Sequence, residues 1–211
     1  PHPRIRIAYL SSDFKNHATA YLMIEMLEAH DREKFEIFAL SYGINDQSAM
    51  RTRIENSVEH FIELCDFSEK EAVPVISRLG LDILVDLKGY TQENCSRWLR
   101  YRLAPIQISW LGYPGTLGAP WVDYLIADKV VAPHEHQWMY SEKLLHLPGS
   151  YQPVARNREC AARPTRKDEL LPENALVLCS FNQTYKITSE VFSCWLRILQ
   201  KLPHAVLWLW A

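Results

Sequence analysis

The sequence predicts an α/β fold in which helices cover both faces of a parallel β-sheet. Short apolar or alternating segments, typical of strands, alternate along the chain with longer segments whose apolar residues recur at helical spacing. Strands separated by helices of this length indicate βαβ units, and a sheet covered on both faces has largely apolar strands. Seven strands are predicted in the first 149 residues, at 5–10, 35–41, 60–64, 82–87, 106–110, 122–127 and 143–147.

Four helices are predicted between these strands, at 17–30, 47–58, 69–79 and 93–102. The first shows the pattern most clearly, because its apolar residues fall on one side before the pattern stops near Asp31. Residues 150–172 combine prolines with basic side chains, which indicates a linker. A second α/β unit is predicted over residues 173–211, where the apolar run Ala175–Leu178 reads as a short buried strand and precedes a helical pattern ending at Lys201.

The composition is that of an ordinary soluble globular chain. Of the 211 residues, 48% are apolar and 23% charged, and the net charge of −2 gives no reason to expect nucleic acid or a membrane as a partner. Five cysteines are scattered without a CxxC pair, which favours a reducing cytoplasm. Nothing resembles a signal peptide or a run of 18 apolar residues. The absence of GxGxxG and Walker motifs argues against an ordinary dinucleotide fold and a P-loop enzyme.

The turn after the first strand carries two candidate catalytic side chains. Asp13 and His17 lie in the segment Ser11–His17, and open α/β folds bind ligands at the carboxyl ends of strands. Histidine exchanges a proton near neutral pH, and a nearby carboxylate orients the ring or raises its basicity. These residues alone favour a simpler interpretation, in which Asp13 or Asn16 caps the helix and His17 is an ordinary first-turn residue.

A glycine-rich turn follows the strand predicted near residue 106. Three of the seven glycines of the chain fall within Trp110–Gly118, which indicates a loop whose backbone lies close to something bulky. A purely structural turn explains these glycines equally well. Composition therefore leaves both a binding loop and a plain turn open.

The segment Cys179–Ile187 has the outline of a diphosphate site. It lies between a strand-like run and a helix, and it carries Asn182, Gln183, Tyr185 and Lys186. A helix N-terminus and an ammonium group together attract an anion. The rival interpretation is more common, because a lone lysine at the start of a helix is usually a solvated surface charge.

Nine segments of the chain carry a family resemblance. They are Arg4–Phe14, Asn16–Thr19, Asp82–Leu87, Gly89–Thr91, Ala104–Gln107, Leu111–Thr116, Tyr140–Leu144, Phe181–Gln183 and Tyr185–Lys186. In this order they resemble the catalytic region of protein O-linked N-acetylglucosamine transferases, over nearly the whole chain. The resemblance is closest to the bacterial members, because the animal enzymes carry a large insertion where this chain has a short polar linker. The SPINDLY protein fucosyltransferases share much of this layout.

The resemblance implies a role for each candidate residue. Asp13 and His17 match residues that lie beside the acceptor hydroxyl and have been considered for proton transfer. Gln183, Tyr185 and Lys186 match the segment that meets the diphosphate and the reacting centre, where the lysine neutralises charge as the nucleotide leaves. The sugar pocket is implied to be shaped by Thr19, Leu111, Gly112 and Pro114.

The family also implies an architecture and a reaction. Residues 1–149 resemble the first Rossmann-like lobe of a GT-B glycosyltransferase, and residues 173–211 the start of the second lobe. The implied reaction moves N-acetylglucosamine from UDP-N-acetylglucosamine to serine or threonine hydroxyls of proteins, with inversion. No metal or other cofactor is implied, since Lys186, amide groups and a helix dipole can meet the charge of the diphosphate. The expected partners are a nucleotide sugar and acceptor proteins, with a tetratricopeptide array and a complete second lobe in the full-length protein.

Alternatives remain at this point. GDP-fucose is a competing donor, because the base-reading residues are expected in the second lobe, and a non-catalytic binding module is the alternative from another class. The strand-like run 205–211 has no helix after it, so we expect the chain to be part of a longer protein and inactive alone. A metal site at His134–His136 is disfavoured, because these residues read as a surface loop without a third ligand nearby.

Overall fold

The chain divides into two compact units, Pro1–Arg158 and Glu159–Ala211. The computed structural model describes residues 2–156 and 160–209. Residues 157–159 of the predicted linker, and the last two residues of the strand-like run 205–211, lie outside the described residues.

All seven predicted strands are present in the first unit. They are β1 Ile5–Ser11, β2 Phe35–Ser41, β3 His60–Glu63, β4 Ile83–Asp86, β5 Ile106–Ser109, β6 Tyr124–Ala127 and β7 Lys143–His146. They form one sheet in the order β3-β2-β1-β4-β5-β6-β7, and every neighbouring pair is parallel. The predicted α/β fold with a Rossmann-like parallel sheet is therefore confirmed.

The strand order reverses direction between β1 and β4. Strands β2 and β3 lie on one side of β1, whereas β4 to β7 follow on the other, and Leu10 of β1 pairs with Asp86 of β4. Open α/β sheets bind ligands outside the carboxyl ends of their strands at such a switch point. The loops that leave β1 and β4 are consequently the first places to look for a site.

Two apolar layers cover the sheet, because successive side chains of a strand point to opposite faces. Helices α1 Ala18–Glu28 and α2 Ala49–Asn56 share one layer with Tyr9, and helix α3 Glu69–Ser77 shares the other with Leu10. Met23, Ile24 and Leu27 of α1 are almost completely buried in the first layer. This packing anchors the start of α1 directly after the carboxyl end of β1.

The helix predicted at 93–102 is wrong in type. The segment forms only a short 3-10 helix, Ser96–Tyr101. The Gln107 side chain donates to Leu99 O at 2.8 Å and accepts from Leu103 N at 2.9 Å. These are the two backbone groups that a continuing α-helix would pair with each other. The buried amide of β5 therefore replaces a helical hydrogen bond and keeps this connection short.

The second unit pairs two parallel strands with one helix in its described part. Strand β8 is Leu176–Ser180, a 3-10 turn is Thr184–Lys186, helix α4 is Ser189–Lys201 and β9 is Ala205–Leu209. The strand predicted at 175–178 is thus present one residue later, but its side chains are half-buried or exposed where a buried strand was predicted. Among the described residues of both units, none of the helices combines the length and apolarity that a membrane span requires.

Candidate active site

The carboxyl ends of β1, β4 and β5 are tied together by backbone hydrogen bonds. Leu87 N donates to Leu10 O at 3.0 Å, and Trp110 N donates to Asp86 O at 2.9 Å. Gly112 N reaches back to Leu87 O at 3.1 Å. The loops that follow these strands therefore leave the sheet side by side, and the predicted residues Asp13, His17 and Gly112 share one edge of the first unit.

A buried ion pair lies at the switch point. Lys88 Nζ is 2.8 Å from Asp13 Oδ2, and the two side chains are only 7% and 6% exposed. Asp13 is held from its backbone side as well, because its amide donates to Ser11 Oγ at 2.9 Å. Removing two charges from water is costly, so a buried ion pair is poor evidence for stability and a reason to look for function. Sequence reasoning did not single out Lys88.

His17 occupies the N-cap of helix α1. Its Nδ1 accepts a hydrogen bond from Thr19 N at 3.2 Å, and Asp13 Oδ2 is 3.4 Å from the same nitrogen. The expectation that Asp13 or Asn16 caps the helix is therefore wrong. The Asp13 carboxylate is bound to Lys88, and the backbone amide of Asn16 donates to Asp46 in the loop after β2. His17 therefore combines a structural cap with a position beside a carboxylate, and its side chain remains 43% exposed.

Asp86 organises the loop that carries Lys88. Its carboxylate is fully buried and accepts from Lys88 N at 3.0 Å, Gly89 N at 3.3 Å and Ser96 Oγ at 2.6 Å. Burial raises the pKa of Asp86, although these three donors act in the opposite direction. The turn after β4 is thus fixed by a carboxylate that itself has no access to solvent.

The glycine-rich loop lies against the turn after β4. A Cβ on Gly112 would lie 2.3 Å from Leu87 O, so at this glycine the expected bulky neighbour is the backbone of the adjacent strand end. Leu111 has φ 75°, a left-handed conformation that is uncommon for leucine, and its side chain is buried. Of the other predicted sugar-pocket residues in this unit, Thr19 is buried and Pro114 is exposed.

The residues predicted to meet the diphosphate lie together in the second unit. Gln183, Tyr185 and Lys186 are exposed, and Lys186 Nζ lies 5.8 Å from the centre of the Tyr185 ring. Helix α4 begins at Ser189 with Thr188 as its N-cap, so Lys186 precedes the helix and is not part of its first turn.

The histidines of the predicted surface loop lie in a 3-10 helix, His134–Met139. His134 Nε2 is 2.9 Å from His146 Nδ1, a contact between an exposed and a half-buried side chain that the sequence did not suggest. Within residues 2–156 and 160–209, no group of three or more His, Cys, Asp or Glu side chains could hold a metal ion.

Comparisons with known proteins all point to one family. The model of glycosyl transferase family 41 matches residues 1–157 and 152–211. SEC of Arabidopsis thaliana, named a probable UDP-N-acetylglucosamine–peptide N-acetylglucosaminyltransferase, is 37% identical over 212 residues, which cover 98% of this chain and 22% of SEC. SPINDLY of the same plant, named as a probable enzyme of the same activity, is 30% identical over 208 residues, which cover 97% of this chain and 22% of SPINDLY.

A solved structure extends this likeness to three dimensions. A lysine-to-methionine mutant of the O-GlcNAc transferase of Thermobaculum terrenum matches with a TM-score of 0.87 and 29% identity, over 99% of this chain and 39% of that chain. This chain therefore spans about a fifth of the length of the two plant relatives and about two fifths of the solved one. The predicted resemblance is confirmed: the chain belongs to glycosyl transferase family 41.

Proposed function

We propose that the protein containing this chain transfers N-acetylglucosamine from UDP-N-acetylglucosamine to serine or threonine hydroxyls of other proteins, with inversion at the anomeric carbon. Membership of the family supports a glycosyltransferase, and the names of the relatives support the donor and the protein acceptor. The observation that carries the proposal is the placement of Asp13, His17 and Lys88 at the switch point of the sheet, where such folds bind ligands.

The first unit supplies the acceptor side of the site in this proposal. The acceptor oxygen forms a bond to the anomeric carbon while the bond from that carbon to the diphosphate oxygen breaks, and the hydroxyl proton leaves for a base. Asp13 and His17 lie beside this oxygen. Thr19, Leu111, Gly112 and Pro114 shape the sugar pocket, and the backbone contact between Gly112 and Leu87 holds that loop at the same sheet edge.

The second unit supplies charge for the leaving group. UDP departs with the electron pair of the broken bond, so negative charge grows on its diphosphate. Lys186 meets this charge with its ammonium, and Gln183 and Tyr185 lie in the same exposed turn. The N-terminus of the 13-residue helix α4 adds a favourable dipole. These groups serve the role that a divalent cation plays elsewhere, so we propose a reaction that needs no added metal.

Donor choice is the finer part of the proposal. SEC and SPINDLY are both named for transfer from UDP-N-acetylglucosamine, which supports this donor, and GDP-fucose stays the competing donor. We place the reaction in the cytoplasm, which five cysteines scattered without a CxxC pair support. The proposed full-length enzyme also contains a tetratricopeptide array and a complete second lobe. Its substrates are acceptor proteins.

Radiolabel transfer tests the proposal. The full-length protein is incubated with a serine- and threonine-rich peptide and either labelled UDP-N-acetylglucosamine or labelled GDP-fucose. Incorporation from the first donor is expected. Incorporation from GDP-fucose alone would favour the fucosyltransferase alternative, and incorporation from neither would favour a binding module. The 211-residue chain by itself should give no product, because it covers about a fifth of its relatives and the reacting groups would be poorly positioned.

A further inference from the structure

One oxygen of Asp13 is shared unequally between two neighbours. Lys88 Nζ lies 2.8 Å from Oδ2, whereas His17 Nδ1 lies 3.4 Å from the same atom. Good nitrogen–oxygen hydrogen bonds measure about 2.7 to 3.2 Å. The carboxylate is therefore bonded to the ammonium, and its contact with the ring is secondary.

The other neighbour of His17 Nδ1 decides where the ring proton lies. Thr19 N points its hydrogen at Nδ1 over 3.2 Å. An N–H donor requires a lone pair on its acceptor, so Nδ1 carries no proton. A neutral imidazole has one protonated nitrogen, and its proton is then on Nε2. The cap of helix α1 thus makes the distal nitrogen of His17 a hydrogen-bond donor.

We propose that His17 acts as a hydrogen-bond donor, through Nε2–H, to an oxygen of a bound substrate, and that Lys88 is the positioning residue that fixes this tautomer. The inference rests on the proposed function. Without the ammonium, the Asp13 carboxylate would be free to accept a hydrogen bond from a proton on Nδ1, and Nε2 would then carry a lone pair and act as a base. Lys88 therefore selects between a donor and a base at the same ring. The 43% exposure of His17 leaves the ring accessible to a substrate.

Two substitutions at position 17 separate the donor from the cap. His17→Gln places an amide N–H near the position of Nε2 but cannot take up a proton. His17→Asn retains a good N-cap and removes the distal group. In the full-length protein we expect kcat of His17→Gln to stay within about tenfold of the wild type, and kcat of His17→Asn and His17→Ala to fall by about 10² or more, as on loss of a preorganised donor.

Equal losses of kcat in His17→Gln and His17→Asn would overturn the donor assignment. Both substitutions remove a base, whereas only His17→Asn removes the distal donor. The KM values for the nucleotide sugar and for the acceptor peptide, measured separately in His17→Ala, identify which substrate carries the oxygen. The exposed position of the side chain makes these variants compatible with folding.

The role of Lys88 is tested by the ring itself. Heteronuclear NMR of histidine-labelled full-length protein distinguishes protonated from unprotonated ring nitrogens. The wild type should show His17 protonated at Nε2, Lys88→Met should move the proton to Nδ1, and the double variant Asp13→Asn/Lys88→Met should restore the wild-type pattern. Lys88→Gln, which removes the charge but keeps a donor for Asp13, is the milder form if Lys88→Met does not fold. A His17 spectrum that neither Lys88 variant changes would refute the positioning role.

The NMR measurement does not depend on catalytic turnover. The proposed function and the inference about His17 and Lys88 can therefore be refuted independently of each other. A wild-type protein that transfers no sugar but shows the expected proton shift in Lys88→Met refutes the proposed function alone. An active wild type whose His17→Gln variant is as poor as His17→Asn refutes the further inference alone.

Discussion

Substitution of Gly112 by alanine should disrupt the site more than it disrupts the fold. The added Cβ would lie 2.3 Å from Leu87 O, and real Cβ atoms essentially never come within 3.0 Å of another atom. Because this neighbour is a backbone oxygen, it cannot rotate away, so one of the two strand ends must move by at least about 0.7 Å. Overpacking of this kind costs about 1–3 kcal/mol of stability. A misplacement approaching 1 Å costs up to about 10² in rate, so we expect kcat/KM to fall by roughly tenfold to a hundredfold.

Gly118→Ala is the matched control in the same loop. Gly118 has φ 61° and nothing within 4 Å of an added Cβ, so alanine costs about 1–2 kcal/mol through its backbone conformation without pushing on a neighbour. Thermal unfolding should show a similar loss of stability in both variants, whereas sugar transfer by the full-length protein should fall only in Gly112→Ala. Equal activity of the two variants would refute the argument that the contact between Gly112 and Leu87 aligns the site.

Three further predictions concern charged residues. Lys186→Ala should lower kcat of the full-length enzyme by about 10² or more, while Lys201→Ala, at the far end of α4, should leave it unchanged in steady-state kinetics. Burial raises the pKa of Asp86, so its contribution to stability is complete below the ordinary value of 3.8 and is lost as pH rises through the higher folded-state pKa. Asp86→Asn should remove that part of the pH dependence, and urea titrations from about pH 3 to pH 7 would contradict this if both proteins showed the same slope. Asp13→Ala should destabilise the first unit by about 3–5 kcal/mol, because it leaves the Lys88 ammonium buried without a partner, and adding Lys88→Met should recover much of this in denaturant unfolding.

The strands were predictable because their signal is local. Each of the seven strands of the first unit lies within two residues of its predicted bounds, since alternating or apolar runs are set by the faces that each strand buries. The prediction of an α-helix at 93–102 was wrong because of a contact with a residue outside the segment. Its hydrogen bonding is taken over by Gln107, a residue of the next strand, and no pattern within the segment records that contact.

The sequence predicts separate members of the candidate site, but it does not predict the contact between Asp13 and Lys88. Asp13 and His17 follow β1 directly, so the rule that ligands bind at the carboxyl ends of strands identifies them. Lys88 obeys the same rule, because it lies two residues after the last residue of β4. It was missed because strand order is not visible in a sequence. Only the adjacency of β1 and β4 brings Lys88 to Asp13, and without it the lysine reads as one more surface charge.

The ion pair of Asp13 and Lys88 makes sense as part of a site and not as part of the fold. An apolar pair of similar volume would serve the sheet as well or better, because burying two charges is costly. The backbone bonds among Leu10, Leu87 and Gly112 already hold the strand ends together without it. What the charges add is a fixed carboxylate beside the ring of His17, whose proton position then depends on the ammonium. The chemistry of the exposed histidine is consequently set by a lysine that no substrate needs to touch.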